Sequence, residues 1–131
     1  MVHKTIWVID DDIIYKTIMK KIIQKSEKFS KTLTFSNGEE GINALKSLQK
    51  NNEQLPDIIL LDIDMPVMDG WGFMSEIELL IPLLQCSIPI YISSSSIAIE
   101  DKLRAKNNPN ILGYMSKPIS LEDLILIASC E

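Results

Sequence analysis

The sequence has little cysteine and histidine, with two cysteines and one histidine among 131 residues. Cys86 and Cys130 lie far apart and form neither a C-x-x-C motif nor a mixed Cys/His spacing, so we expect reduced thiols and no disulfide or zinc site. His3 stands alone near the N-terminus and has no second histidine with which to bind a metal. The sequence therefore offers no set of residues for thiol, histidine or zinc chemistry.

The chain also lacks an excess of positive charge and any apolar stretch long enough to span a membrane. Its net charge of -5 argues against a surface that neutralises nucleic-acid phosphates or docks on an anionic membrane. The N-terminal residues lead directly into a strand-like run, so no signal peptide is expected. We therefore expect a cytosolic protein that binds neither nucleic acid nor membrane.

The chain has the length of one ordinary domain, and its composition shows no linker, internal repeat or low-complexity segment. Its last predicted helix ends close to Glu131, which leaves no room for a DNA-binding or enzymatic output domain. We therefore predict a single domain over residues 1–131 with no output domain.

The central stretch of the chain runs from Asp57 to Gly70. Residues 58–61 are apolar without alternation, which is typical of a strand buried on both faces of a parallel sheet. The apolar run stops at Asp62, and the residues after it have the composition of a turn. We therefore expect Asp62 at the carboxyl end of a buried strand, held by rigid structure.

Further strands and helices alternate along the rest of the chain. The β-branched and aromatic composition predicts strands at 5–9, 33–35, 89–92 and 111–115, in addition to the central one. Five strands alternating with five helices predict an α/β fold in which helices cover both faces of a parallel sheet.

The first helix is predicted from the spacing of its apolar residues. Ile14, Ile18 and Ile22, flanked by Met19 and Ile23, mark the expected buried face. A solvated face opposite them is expected to carry most of the lysines at 16, 20, 21, 25 and 28. The helix is therefore predicted to be amphipathic, and its lysines are not taken as a binding site.

Local signals set the expected ends of the other helices. Ser36 and Glu39 have capping-box spacing at the start of the second helix, and Pro82 is expected to end or kink the third, over residues 71–84. The serines at 93–96 are predicted to leave the sheet as a loop or helix cap, before a helix that continues to about residue 106. Ser120 starts the last helix.

Polar residues follow several of the predicted strands: Asp10, Asp11, Asp62, Ser94 and Lys117. In open parallel sheets, ligands bind outside the carboxyl ends of the strands. Two carboxylates 4 Å apart repel by about 4 kcal/mol at an effective dielectric of 20, so several acids at one edge indicate a cation. Helix capping explains Asp12 alone. Oxygen-only ligands favour Mg²⁺ or Mn²⁺ over zinc.

This set of residues suits phosphoryl transfer. A carboxylate can attack phosphorus and form an acyl phosphate, and the remaining work is positioning and charge compensation. Mg²⁺ is expected to contact one phosphoryl oxygen, Lys117 a second and the Ser94 hydroxyl a third. No histidine or cysteine is required.

Four motifs occur in order along the chain: I-D-D-D, L-D-x-D-M-P-x-M-D-G, S-S and G-Y-x-x-K-P. Together they resemble the response regulator receiver domain of the chemotaxis type, over the whole chain. The resemblance implies a flavodoxin-like three-layer sandwich with five parallel strands in the order 2-1-3-4-5 and five helices on both faces. It also implies a phosphoacceptor switch that catalyses its own phosphorylation and dephosphorylation and is not otherwise an enzyme.

The resemblance also implies a role for each site residue. Asp62 is expected to be the phosphoacceptor and a metal ligand, with Asp11 as a direct metal ligand and Asp10 acting through water. The backbone carbonyl of Asp64 is expected to complete the protein ligands of the metal. Ser94 and Lys117 are expected to bind the phosphate.

Two further roles follow from the same resemblance. Ser94 and Tyr114 are expected to act as the switch pair that changes the surface formed by the fourth helix, the fifth strand and the fifth helix. A cis peptide bond is expected between Lys117 and Pro118. Two residues are less typical of the family: Asp64 adds an acid beside the site, and serine stands at 94 where threonine is commoner.

The resemblance implies that a sensor histidine kinase or a histidine phosphotransfer protein donates the phosphoryl group. The downstream target is expected to be a protein that the sequence does not identify, and the chain itself is expected to be a monomer or a weak dimer. Two alternatives remain. One is a pseudo-receiver that binds partners without phosphorylation, and the other is a small phosphatase of the haloacid dehalogenase type, since Asp62-Ile-Asp64 imitates its D-x-D motif.

Overall fold

In the computed structural model, which describes residues 4–84, 86–95 and 98–129, five parallel strands form one sheet with five helices around it. The strands are β1 (Thr5–Ile9), β2 (Lys31–Phe35), β3 (Ile58–Leu61), β4 (Ile90–Ser94) and β5 (Ile111–Ser116). The helices are α1 (Ile13–Ser26), α2 (Gly38–Lys50), α3 (Gly70–Leu84), α4 (Ile99–Lys106) and α5 (Leu121–Ser129). The strand order is β2-β1-β3-β4-β5, which confirms the predicted fold.

The two central strands, β1 and β3, are buried on both faces. All four residues of β3 are buried, and β1 pairs with β2 on one side and with β3 on the other. One apolar cluster includes Trp7 and Ile9 with residues of α2 and α3, and a second includes Ile6 and Val8 with residues of α1 and α5. The core is therefore split into two layers by the sheet, as three-layer α/β folds require.

The buried face of α1 differs from the predicted one. Ile14 and Ile18 are 72% and 44% exposed. The buried residues include Tyr15 together with Met19 and Ile23, the two residues expected to flank the buried face. Both sets follow helical spacing and are offset by one residue, so periodicity alone does not choose between them. The structure buries the face with the larger side chains, and the tyrosine hydroxyl on it finds a partner.

Lys16 also departs from the predicted solvated face of α1. It is 8% exposed, and its ammonium donates a hydrogen bond of 2.9 Å to the Ser36 hydroxyl after β2. A lysine can bury its aliphatic stem if its charged end reaches a polar group. The predicted solvent exposure is confirmed for Lys20, Lys21 and Lys25.

The start of α2 is shifted relative to the prediction, whereas α3 ends at Leu84 as predicted. The N-cap of α2 is Asn37, whose side chain accepts from Glu40 N, so the cap lies one residue beyond the predicted Ser36 and Glu39. The carboxylate of Glu40 in turn accepts from the Ser36 backbone N–H. Pro82 lies inside α3, which continues to Leu84, so the proline does not end the helix.

The serine run was predicted wrongly in part. Ser93 and Ser94 continue β4 and are 2% and 1% exposed, so they do not form a loop. Ala98 is the N-cap of α4 and makes no side-chain cap, so neither of these two serines caps that helix. The prediction failed because buried hydroxyls are tolerated in a strand when they have hydrogen-bond partners. Ser120 does cap α5, accepting from Asp123 N at 3.0 Å.

Several remaining predictions concern thiols, termini and membranes. Cys86 is a free, exposed thiol, while His3, Ser96 and Cys130 lie outside the described residues. Across the ranges that the structure describes, no helix is both long enough and apolar enough to cross a membrane.

Gly70, the first residue of α3, is expected to tolerate no side chain. A Cβ there would collide with the carbonyl oxygen of Asp62 and lie 2.9 Å from the Ile63 Cα, both backbone atoms that cannot rotate away. We expect Gly70→Ala to lower the free energy of unfolding by about 1 to 3 kcal/mol, measured by urea denaturation.

Gly72 of the same helix turn is the matched control for this prediction. A Cβ at Gly72 would meet the flexible Met68 side chain at 3.0 Å, so Gly72→Ala is expected to be neutral or stabilising by up to about 1 kcal/mol. Equal effects of the two substitutions would contradict the close packing of Gly70 on the Asp62 backbone.

Candidate phosphoacceptor and metal site

Three carboxylates meet at the carboxyl edge of the sheet. Asp10 and Asp11 follow β1, Asp62 follows β3, and these strands are neighbours with Ile9 paired to Leu61. One oxygen from each of the three acids lies within 4.8 Å of the others. Asp10 and Asp62 are only 1% and 5% exposed, whereas Asp11 is exposed. The structure therefore brings together the three acids that the sequence assigned to one edge.

Lys117 reaches these acids from the loop after β5. Its Nζ lies 2.6 Å from Oδ2 of Asp10 and 3.4 Å from Oδ1 of Asp62. Its backbone N–H donates to the Ser94 carbonyl at 3.0 Å, which ties the loop to the end of β4. Burial by itself lowers the pKa of Lys117, but the pairing with Asp10 and Asp62 outweighs burial and leaves the pKa raised. Lys117 is therefore a firmly protonated cation within the acid cluster.

Two loops beside the site have unusual backbone geometry. The Lys117–Pro118 peptide bond is cis, which confirms that prediction. After β3, the Met68 N–H donates to the Pro66 carbonyl at 2.7 Å, and Val67 between them has a positive φ of 69°. An i to i+2 hydrogen bond around a positive-φ residue is a γ-turn, a compact and strained way to reverse the chain.

The environment of Asp62 changes its acidity. Burial and the nearby charge of Asp10 raise the pKa of Asp62 to about 6, against the lowering effects of Lys117 and of the Ile63 N–H that donates to Oδ1 at 2.9 Å. A raised pKa means that the protein stabilises the charged carboxylate less than water does. The site therefore compensates the negative charge of Asp62 only in part.

The predicted switch residues lie on the strands beside this cluster. Ser94 is the last residue of β4 and is buried at the same edge of the sheet as Asp62. Tyr114 lies in β5, partly buried against the core, and lines a cavity of about 260 Å³ between α4 and β5. The two residues are not adjacent in register, because Tyr114 pairs with Ile92.

Tyr15 is a site residue that sequence reasoning missed. Its ring lies under the ammonium of Lys117, 4.6 Å from Nζ to the ring centroid, and its hydroxyl is 2.7 Å from the Ser93 hydroxyl. Tyr15 follows two isoleucines on a predicted amphipathic helix, and no local signal separates it from core residues. The contact joins α1 to a loop about a hundred positions later in the chain, and such a long-range pairing has no signature in one sequence.

The donor atoms of the cluster fit a hard divalent cation. All are oxygens, and Mg²⁺ favours carboxylate and carbonyl oxygens with several waters. Oδ2 of Asp10 is buried, and among the described residues it contacts the Lys117 ammonium and accepts no other hydrogen bond, so this oxygen can also interact with a further cation. The carboxylate of Asp64 is exposed, and its backbone carbonyl belongs to the loop that leaves β3. The acid cluster is therefore a possible Mg²⁺ site.

Comparison with known proteins identifies relatives of this chain. The family model described as response regulator receiver domain matches residues 6–129. The sensor histidine kinase CheAY of Helicobacter pylori is 31% identical over 119 residues, which cover 91% of this chain and 14% of that protein. The first curated relatives are longer proteins, of which the chain spans from 14% to 51%.

Solved structures of response regulators are also similar to this chain. A two-component response regulator from Cytophaga hutchinsonii has a TM-score of 0.86 and 25% identity, covering 95% of this chain and 92% of that chain. The phosphorylated cyanobacterial phytochrome response regulator RcpA has a TM-score of 0.67 and 28% identity, covering 97% of this chain and 89% of that chain.

Because the pKa of Asp62 is raised, the free energy of unfolding is expected to fall as the pH rises and Asp62 becomes ionised. Because the folded pKa lies above that of the unfolded chain, the contribution of Asp62 to stability is fully present below about pH 4 and is lost as pH rises through about 6. In metal-free buffer, Asp62→Asn, which carries no charge, is expected to be more stable than the wild type at pH 7.5 by about 2 to 3 kcal/mol.

The advantage of Asp62→Asn is expected to shrink as the pH falls from 7.5 to 4.5. Urea denaturation of both proteins in the presence of a chelator measures this difference at each pH. A difference in free energy of unfolding that stays constant over this range would contradict the assigned environment of Asp62.

Proposed function

Since the chain belongs to the response regulator receiver domain family, we propose that it accepts a phosphoryl group on Asp62 and thereby switches the binding of a partner protein. The donor is the phosphohistidine of a sensor histidine kinase or of a histidine phosphotransfer protein. Receiver domains belong to two-component systems, and the histidine kinase CheAY is among the relatives. The observation that carries the proposal is the buried, poorly compensated Asp62 carboxylate beside Lys117 and the acid pair.

The proposed reaction transfers one phosphoryl group between side chains. An oxygen of the Asp62 carboxylate attacks phosphorus, an O–P bond forms, and the N–P bond to the donor histidine breaks with its electron pair returning to the ring nitrogen. Lys117, 3.4 Å from Asp62, is near enough to exchange its ion pair with Asp10 for one with a phosphoryl oxygen. Its charge then offsets the negative charge spread over the transferring group.

Mg²⁺ is the proposed cofactor, with Mn²⁺ as a substitute. Asp11, Asp62 and the backbone carbonyl of Asp64 would hold it directly, and Asp10 through water. When bound, the cation supplies positive charge that compensates the acids and a phosphoryl oxygen. The role of Asp10 in this set is to pair with Lys117 from the buried side, at 2.6 Å, which keeps that lysine at the phosphorylation site.

The proposed conformational change starts at Ser94 and alters the surface formed by α4, β5 and α5. The Ser94 hydroxyl is drawn to the phosphoryl group, and Tyr114 then changes its position between β5 and α4. The cavity of about 260 Å³ that Tyr114 lines offers space for that movement. To shift a 1:99 equilibrium to 99:1 takes about 5.5 kcal/mol, which one lysine, one hydroxyl and one cation on a single phosphoryl group can supply.

One further observation supports phosphorylation, and another supports a protein as the donor. RcpA, which shares the fold, is a phosphorylated response regulator according to its description. On this chain, Ile14 and Ile18 of α1 are exposed and follow the acid pair by one to two turns, so they offer an apolar surface beside the site. A protein that donates the phosphoryl group has to approach the chain at this edge.

Intact mass after incubation with a small-molecule phosphodonor and Mg²⁺ tests the proposal. We expect one added phosphoryl group, no addition in Asp62→Asn, and slow loss of the group over time. Lys117→Arg retains the positive charge but not the compact ammonium, and is expected to form the phosphorylated species more slowly.

Failure of the wild type to gain mass with several donors would refute phosphorylation and favour the pseudo-receiver. Continuous release of many phosphates per protein from a phosphomonoester would instead indicate a phosphatase. Addition that persists in Asp62→Asn would show that a different residue accepts the group.

A further inference from the structure

The aromatic face of Tyr15 is a third neighbour of the Lys117 ammonium, in addition to the carboxylates of Asp10 and Asp62. The distance of 4.6 Å between Nζ and the ring centroid lies within the range of cation–π attraction. Tyr15 is only 7% exposed, so little water competes with the ring for the ammonium. Attraction of this kind is strongest where the cation is partly desolvated, as Lys117 is here.

Hydrogen bonds fix both ends of Tyr15. Its backbone N–H donates to the Asp12 carboxylate at 3.1 Å, in the first turn of α1, directly after the acid pair. Its hydroxyl is hydrogen-bonded to the Ser93 hydroxyl of β4 at 2.7 Å, and Ser93 is 2% exposed. The ring is therefore held between the start of α1 and the end of β4, the strand that pairs with β3.

The loop that carries Lys117 also packs on the same group of residues. Ile119, two positions beyond Lys117, is fully buried and belongs to the apolar cluster that contains Tyr15 and Leu124. Burial raises the pKa of the Tyr15 hydroxyl, so the phenol stays neutral and adds no charge to the acid cluster. The ring thus attracts the ammonium without competing for it as a fourth anion.

We propose that Tyr15 is a positioning residue that holds the Lys117 ammonium beside Asp62 while the lysine exchanges Asp10 for a phosphoryl oxygen. This inference rests on the proposed function. Lys117 has several rotatable bonds and would reach solvent when the incoming phosphoryl group disturbs its ion pairs. The contact with the ring involves no anion, so it can hold the ammonium near Asp62 while the lysine exchanges one anion for another.

A purely structural role for Tyr15 makes different predictions. A large apolar side chain such as methionine fills much of the same core space but lacks the negative aromatic face. Phenylalanine keeps the face and loses the hydrogen bonds of the hydroxyl, to Ser93 and to the Ile119 backbone. Comparison of Tyr15→Met with Tyr15→Phe therefore separates the attraction for Lys117 from the packing of the core.

The first measurement is NMR of the lysine side chains in the full chain, and it needs no phosphorylation. Protons on the ε-carbon of Lys117 lie near the Tyr15 ring, so we expect them upfield of the other lysine signals, with Lys117→Arg identifying the signal by its loss. The upfield shift is expected to persist in Tyr15→Phe and to disappear in Tyr15→Met.

The second measurement is the phosphorylation rate as a function of phosphodonor concentration, at saturating Mg²⁺. We expect the maximal rate of Tyr15→Met to fall about tenfold, which corresponds to one cation–π contact, with the half-saturating donor concentration unchanged. Tyr15→Phe is expected to keep most of the wild-type rate. Thermal unfolding of each variant records its structural cost separately.

Each outcome decides the proposal. Three results would each overturn it. The wild-type Lys117 signal could lack an upfield shift, Tyr15→Met could keep a normal maximal rate, or Tyr15→Phe could be as slow as Tyr15→Met. If the methionine variant does not fold, Tyr15→Leu takes its place, and the wild-type shift remains decisive. If the wild type is not phosphorylated at all, the proposed function fails, and the NMR result alone decides whether Tyr15 holds Lys117.

Discussion

The repulsion among Asp10, Asp11 and Asp62 is the constraint on which the rest of the site depends. Their oxygens lie within 4.8 Å of one another, and two of the three side chains are buried. Lys117, at 2.6 Å from Asp10 and 3.4 Å from Asp62, offsets part of this repulsion. Within the part of the chain that the structure describes, it is one cation against three acids. Burial and the remaining negative charge of Asp10 raise the pKa of Asp62, and the same charge makes the cluster receptive to a divalent cation.

The fold maintains this unfavourable arrangement by burying apolar strands directly beneath it. β1 and β3 are neighbours covered on both faces, and each ends where an acid begins, so the acids cannot separate without opening the core. The Gly70 backbone packs closely against the carbonyl of Asp62 and closes the loop after β3. Stability of the central sheet therefore supports a cluster that is unstable by itself.

Much of this architecture is readable from the sequence, since buried parallel strands have a strong local signature. The unbroken apolar run at 58–61 and its end at Asp62 were predicted correctly, as was the strand order implied by the family resemblance. The buried face of α1 was not predicted correctly, because apolar residues follow helical spacing equally well from Ile14 and from Tyr15. The contact of Tyr15 with Lys117, and the burial of Ser93 in β4, depend on partners distant in sequence and required the three-dimensional structure.

Thermal unfolding with and without Mg²⁺, in the wild type and in Asp11→Asn, tests most directly whether this acid cluster is built for a divalent cation. At a Mg²⁺ concentration of about 100 Kd, binding to the folded state should add about 2.7 kcal/mol and raise the Tm of the wild type by several degrees. Asp11→Asn should start at a higher Tm, since one repelling charge is gone, and gain much less from Mg²⁺. Equal gains in the two proteins would contradict the account.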